Sequence, residues 1–262
     1  MKRTLTNKIP IEDLPEEIRR LSEGCRIYDS SCSPEARVYF IDRDGGYYLK
    51  SSSVGSLKNE ALMNGYFHSL GIGAEVLLYL SGDEDILLTR RVAGEDCTHE
   101  KHLSEPKRLA ELLGTELRRL HEIPYTGCPI SDRTGNYIAT VEENRRTGNY
   151  DSSHFPDSFG YRSADEAYAT FSDGRAALKC DTLIHGDFCL PNVMLDGWRL
   201  SGYIDLGCAG VADRHIDLFW GVWTLWFNLK TDSYRERFLD AYGRDRVDED
   251  ILKVIAAAEV FG

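Results

Sequence analysis

Short alternating runs dominate the first third of the chain. In CRIYD, RVYFID and GYYLKSS, apolar and polar side chains change places with the two-residue period of half-buried strands. DRDGG at 42–46 supplies a turn between two of them. Before these strands, IEDLPEEIRRLS (11–22) reads as a short helix. After them, Leu57, Leu62, Met63, Phe67 and Leu70 recur at helical spacing and stop at Gly71. AEVLLYLSGDEDILLTRRV then gives two more strands about a turn, so residues 23–92 predict a mostly antiparallel sheet with one inserted helix.

From SEPKRLAELLGTELRRLHEI onward the period is helical, with Leu109, Leu112, Leu113, Leu117 and Leu120 on one face. The hairpin-like run DTLIHGDFCLPNVMLDGWRLSGYIDLG interrupts it, and helices resume through HIDLFWGVWTLWF, YRERFLDAYG and DEDILKVIAAAEVF. Residues 127–175 carry little periodicity. The pattern predicts an α+β fold of two lobes, a small antiparallel β-rich lobe and a larger helical one. We place the first at 1–89, a hinge at 90–94 and the helical lobe at 95–262.

Composition narrows the partners. The longest apolar stretch, HIDLFWGVWTLWFNLK, is broken by His215, Asp217 and Asn228, and the first twenty residues lack the apolar core of a secretory signal. A cytoplasmic protein that engages no membrane is expected. Seven cysteines without a CxxC pair argue against a disulfide framework and a four-cysteine zinc site. A net charge of −12 disfavours nucleic acid and favours a cationic small molecule.

Four features then follow one another in a fixed order. Lys50 lies on the strand YYLK and Glu60 on the helix after it. HGDFCLPN reads H-x-D-x-x-x-x-N with Asp187 and Asn192, and IDLG brings Asp205 at the end of an apolar strand. Strand Lys, helix Glu, H-x-D-x-x-x-x-N and D-x-G, in that order, form the kinase signature set. In that chemistry Lys50 neutralises the nucleotide phosphates while salt-bridged to Glu60. Asn192 and Asp205 supply oxygen ligands for Mg²⁺, and Asp187 is the base that takes the acceptor's hydroxyl proton. His185 reads as a brace within the loop. Each piece alone is commonplace, and it is the ordered set that carries the reading.

With SPEARVYFI, YYLK, HGDFCLPNVMLDGWRLSGYIDLGCAGVADRHID and the closing EVF, the chain resembles the aminoglycoside phosphotransferases, specifically the 3′-hydroxyl kinases, within the protein-kinase-like fold. The run GCAGVADRHIDL enters a helix with no peptide-binding segment, which points to a small-molecule acceptor. The resemblance implies that Ser33, in SSCSPEAR, covers the phosphates and that Tyr48 stacks on adenine. It also implies that backbone groups near Arg90 and Val92 meet the adenine edge, with ATP and GTP not distinguished. It implies that ammonium groups of the antibiotic are held by carboxylates such as Asp157 and Glu259. Three positions depart from the family pattern: Cys208 and Trp223 stand where arginines are usual, and Ala258 where an acid is, with Gly262 following the closing aromatic.

The expectation is thus an Mg²⁺- and ATP-dependent kinase of an aminoglycoside, a monomer or weak homodimer. A kinase of choline or another cationic hydroxyl metabolite is the nearest rival. A nucleotide-binding regulator without catalysis is the second, and a metallohydrolase built on His185, Asp187 and Asp205 the third.

Overall fold

The alternation in the first third of the chain builds one sheet. The structure, a computed structural model, describes residues 4–6, 14–152 and 159–262. Strands β1 (Thr4–Leu5), β2 (Arg26–Asp29), β3 (Ala36–Asp42), β4 (Tyr47–Ser52), β5 (Val76–Ser81) and β6 (Asp85–Arg90) lie in the order β1-β2-β3-β4-β6-β5. All of these pairings are antiparallel.

In β4 the period of two separates the core from the chemistry. Tyr47 and Leu49 are buried beside Ile18, Ile41 and Leu88, with Ile18 coming from helix α1 (Glu16–Ser22). Tyr48 and Lys50 alternate with them onto the other face, Tyr48 opposite Phe40 and Thr89, Lys50 opposite Val38 and Leu87. Helix α2 (Lys58–Ser69) buries Glu60, Met63, Asn64 and Phe67, a stripe at helical spacing that places one carboxylate among apolar neighbours.

Two compact units make up the chain: Met1–Asp96 with Val193–Gly207, and Cys97–Asn192 with Cys208–Gly262. This differs from a single division at residues 90–94, and long-range pairing is the reason. The strand Val193–Asp196 pairs with Arg199–Tyr203 and also with Glu95–Asp96. The Tyr203 amide donates to Ile72 O at 2.8 Å, so the hairpin belongs to the first unit. Gly94 permits the approach: at φ +89° it lies so close to Leu195 that a Cβ would fall 2.2 Å from its carbonyl oxygen.

The second unit is mainly helical. The helices Ala164–Gly174 and Glu249–Ala258 enclose a core of Val141, Phe171, Val254, Ala257, Ala258 and Phe261. The helix Pro106–His121 packs on Arg235–Tyr242. A two-stranded ladder, Thr182–Ile184 against Gly210–Ala212, carries the loop that follows Ile184. No helix among the described residues is long and apolar enough to cross a membrane.

Candidate active site

In the first unit Lys50 is clamped between two carboxylates. Its Nζ donates to Glu60 Oε2 at 2.7 Å and to Asp205 Oδ1 at 2.9 Å. Burial works against the charged amine, yet the charges of Glu60 and Asp205 outweigh it and hold Lys50 above its ordinary pKa. The ammonium is therefore permanent at physiological pH. Asp205 sits at φ +60°, a left-handed conformation that is costly for a non-glycine residue and that turns its half-exposed carboxylate toward Lys50.

Asp85 fixes the turn that leads into α2. Fully buried, it accepts the Leu57 amide at 2.9 Å, the Tyr79 hydroxyl at 3.0 Å and the Ser81 hydroxyl at 2.6 Å. Burial alone would raise its pKa, but these donors and the Gly55 amide hold it at about 2. Ser33 lies in an exposed turn, where its hydroxyl bonds the Glu35 carboxylate and lowers its pKa. Ser52 Oγ ties that turn to the end of β4 by donating to Glu35 O at 2.7 Å.

A cavity of about 200 Å³ opens in the same unit, lined by Tyr48, Arg91, Val92, Gly94, Met194 and Ile204 together with Glu95 and Asp96. Tyr48 packs on Phe40 with ring centroids 5.2 Å apart. The Arg90 amide is already committed to Glu75 O at 2.9 Å and its guanidinium to Glu75 Oε2 at 2.8 Å, so Arg90 offers a ligand only its carbonyl.

In the second unit the loop 185–192 is held from behind. Asp217 accepts the His185 amide on one oxygen and the Gly186 amide on the other, each at 2.7 Å. Gly186, at φ +84°, passes so close to Cys208 that a Cβ would lie 2.0 Å from its carbonyl oxygen. His185 is fully buried, and its Nδ1 receives the Asp187 amide at 3.2 Å, the bracing role expected of it. Asn192 Nδ2 donates to Asp187 Oδ2 at 2.8 Å and to Asp187 O at 3.0 Å. That locks the two side chains together and leaves the amide oxygen of Asn192 as an acceptor. Burial pushes the Cys189 thiol up, and Asp187 adds to the shift, so this cysteine stays a neutral packing group.

Glu259 belongs to the same neighbourhood. Tyr137 donates to its Oε1 at 2.8 Å, and Trp220 supplies a second donor. Burial raises the carboxyl strongly, the Tyr137 bond draws it back and the Asp187 charge raises it again, leaving a pKa of about 7. Ala258 is fully buried beside Phe171 and Phe261, so the acid usual at this position would have no room for its charge. Asp157 lies outside the described residues.

Among the described residues no three His, Cys, Asp or Glu side chains gather as a metal cage. In the second unit Asn192 Oδ1 is a hard oxygen donor, and in the first unit so is the Asp205 oxygen not bonded to Lys50. Each is a donor of the kind that Mg²⁺ accepts beside water and phosphate ligands.

Residues 32–252 match the phosphotransferase enzyme family. The chain belongs to that family. A probable aminoglycoside 3′-phosphotransferase from Lactococcus lactis is 47% identical over 97% of each chain. Among solved structures, a type VIII aminoglycoside 3′-phosphotransferase superposes with a TM-score of 0.78 at 23% identity, covering 96% of this chain and 99% of that one. An aminoglycoside phosphotransferase from Streptomyces rimosus, in complex with ADP and streptomycin, gives 0.73 at 23%, covering 86% and 90%. The family resemblance and the α+β kinase-like fold read from the sequence are both borne out.

The phosphotransferase also uses residues that the sequence did not single out. Asp217 accepts two backbone amides, and Asp85 a backbone amide and two hydroxyls, partners that leave no spacing signature. Met194 and Ile204 line the cavity from the hairpin that joins the first unit. For those two the alternation in VMLD and GYID was the available signal, though it says nothing of what they face.

Proposed function

We propose that this phosphotransferase transfers the γ-phosphate of ATP to a hydroxyl of an aminoglycoside, the 3′-hydroxyl, in the cytoplasm. The observation that carries the reading is the Lys50 ammonium held between Glu60 and Asp205, a permanent cation fixed within strand β4. The acceptor class rests on the Lactococcus relative, alike over nearly the whole chain.

In this reading the cavity beside Tyr48 takes the adenine, with the Arg90 carbonyl and the Val92 amide on its edge, and Ser33 covers the phosphates. Lys50 neutralises charge on the phosphate oxygens, and Glu60 keeps its reach constant. Asn192 and Asp205 would hold Mg²⁺, whose chemistry is to neutralise the triphosphate and align it. Asp187 accepts a hydrogen bond from the acceptor hydroxyl and takes its proton as the oxygen bonds to the γ-phosphorus and the bond to the β-phosphate oxygen breaks. Asn192, bonded to Asp187 Oδ2, leaves one carboxylate oxygen for that task. Glu259, and Asp157 if it lies as the family pattern implies, meet ammonium groups of the acceptor.

The test is turnover of ATP and of GTP against an aminoglycoside panel, with choline and amino sugars beside it. Phosphorylation of aminoglycosides is expected, together with a loss on the order of 10²–10⁴-fold in Asp187→Asn while nucleotide still binds. Turnover of choline or an amino sugar with no aminoglycoside turnover would overturn the acceptor.

A further inference from the structure

Leu190, inside the loop 185–192, is held through both of its backbone groups. Its carbonyl accepts the Cys97 amide at 3.1 Å, and its amide donates to Thr224 Oγ1 at 3.1 Å. Thr224 is buried in the helix His215–Leu229. Asn228, one turn further along, donates its Nδ2 to Thr224 O at 2.8 Å and to Thr224 Oγ1 at 3.2 Å. A hydroxyl has two acceptor sites and one proton. Both acceptor sites of Thr224 are therefore taken by N–H groups, and its own proton points to a further acceptor.

That acceptor is the sulfur of Cys189, which is hydrogen-bonded to Thr224 on one side and to the Asp187 carboxylate on the other. A carboxylate only accepts, so the S–H is the donor to Asp187. The order Asn228 Nδ2–H, Thr224 Oγ1–H, Cys189 Sγ–H, Asp187 is thus fixed from its amide end. The backbone holds the thiol in place. The Cys189 amide donates to Asp187 O at 2.8 Å, and the Asn192 amide donates to Cys189 O at 2.9 Å. Asp187 then meets two side-chain donors, Asn192 Nδ2 on its Oδ2 at 2.8 Å and the Cys189 thiol.

We propose that Cys189 is a positioning residue for Asp187: its S–H, oriented by the Thr224 hydroxyl, fixes the direction in which the carboxylate meets the acceptor hydroxyl. The inference rests on the role of base proposed above for Asp187. The terminal torsion of an aspartate is broad, so the carboxylate turns easily, and a second donor narrows the range that Asn192 leaves. Proton and phosphoryl transfer gain from that, because they need the reacting atoms aligned. A thiol suits the task. S–H is a weak donor, so it directs the carboxylate while leaving most of its affinity for a proton. The sulfur itself takes no part in bond making, since a buried neutral thiol is a poor nucleophile.

The experiment uses the full-length protein with ATP and kanamycin. Steady-state kinetics are measured for wild type, Cys189→Ala, Cys189→Ser, Thr224→Val and the double variant Cys189→Ala, Thr224→Val. Cys189→Ala should lower kcat about tenfold and leave the KM of nucleotide and of kanamycin nearly unmoved. Cys189→Ser restores a donor and should recover most of the rate. Thr224→Val should lower kcat about threefold alone and add little to Cys189→Ala, because both act through one bond. Were Cys189 only a packing group, serine would serve no better than alanine. A kcat for Cys189→Ala indistinguishable from wild type, or one for Cys189→Ser no higher than for Cys189→Ala, overturns the proposal. The infrared S–H stretching band of Cys189, taken as the difference between wild type and Cys189→Ser, reads the bond without turnover. It should lie below that of an unbonded thiol and move in Asp187→Asn. A band at the unbonded position, or one indifferent to Asp187→Asn, also overturns the proposal. Absence of kanamycin turnover in wild type counts against the acceptor class instead, and the band then decides the thiol contact by itself.

Discussion

His121 Nε2 lies 3.1 Å from Asp217 Oδ2, and both side chains are fully excluded from solvent. Burial lowers the pKa of His121 despite the neighbouring carboxylate, so the ring is neutral. Its Nε2–H then donates to Asp217, and its Nδ1 accepts from the Tyr242 hydroxyl at 2.8 Å. That hydroxyl stays protonated, because burial raises its pKa to about 12. Asp217 is satisfied by three N–H donors, two of them the backbone amides of His185 and Gly186. The loop 185–192 is therefore anchored to a side chain that is fully excluded from solvent.

The neutral ring makes stability depend on pH. Below its ordinary pKa the unfolded chain protonates this histidine and the folded chain does not, so the unfolded state binds more protons and stability falls as pH drops below about 6.5. His121→Gln should be less stable at neutral pH by about 1–3 kcal/mol and should lose part of the decline between about pH 7.5 and 5.5. Urea unfolding at several pH values checks this, and an unaltered slope in the variant would show that His121 is not the titrating group.

Breaking the Lys50 clamp should separate stability from catalysis. Lys50→Met leaves Glu60, whose side chain is only 10% exposed, without its cation, and should cost a few kcal/mol of stability, on the order of 3–5. Nucleotide turnover should fall on the order of 10²-fold or more. Adding Glu60→Gln removes the stranded charge, so the double variant should regain much of the stability and none of the rate. Thermal unfolding and steady-state kinetics on the pair decide it. Recovery of activity in the double variant would mean that Lys50 acts only as a counter-ion.

Asp85 acts one step further back. Its folded pKa of about 2 lies below its unfolded value of 3.8, so its contribution is complete above pH 3.8 and is lost as pH falls toward 2. Asp85→Asn should flatten acid unfolding in that window. Because Asp85 holds the Leu57 amide at the start of the helix that carries Glu60, the variant should also raise the nucleotide KM severalfold and leave the acceptor KM unmoved. A change in the acceptor KM alone would contradict this positioning role.

The legible parts of the molecule were those where polarity defies its surroundings. Lys50 interrupts an apolar strand, Glu60 an apolar helix face, and Asp187 and Asn192 an apolar loop, so sequence order alone grouped them. Lys50, Glu60 and Asp205 indeed meet in one unit, and Asp187 and Asn192 in the other. What stayed hidden depends on distant backbone. The strand Val193–Asp196 joins the first unit because it pairs with residues nearly a hundred positions earlier. The helix Arg133–Thr147 buries only Thr134 and Val141, too little apolar surface to mark a period. Asp217 holds the loop through the amides of His185 and Gly186, and every residue but proline has such an amide, so no spacing marks the role.

The pH profile of acceptor binding should be set by Glu259. With a pKa of about 7, this carboxyl is largely neutral below neutrality and charged above it. If it receives an ammonium group of the acceptor, binding should strengthen as pH rises through 7, up to the point where the amines themselves lose their protons. Glu259→Gln should flatten that rise and weaken binding at about pH 8 by roughly tenfold. Tyr137→Phe removes a donor that favours the charged form, so it should move the rise to higher pH without abolishing it. Acceptor KM measured across pH for the three proteins checks both shifts together. A profile identical in wild type and Glu259→Gln would assign the titration to another group, and an acid shift in Tyr137→Phe would reverse the role given to its hydroxyl.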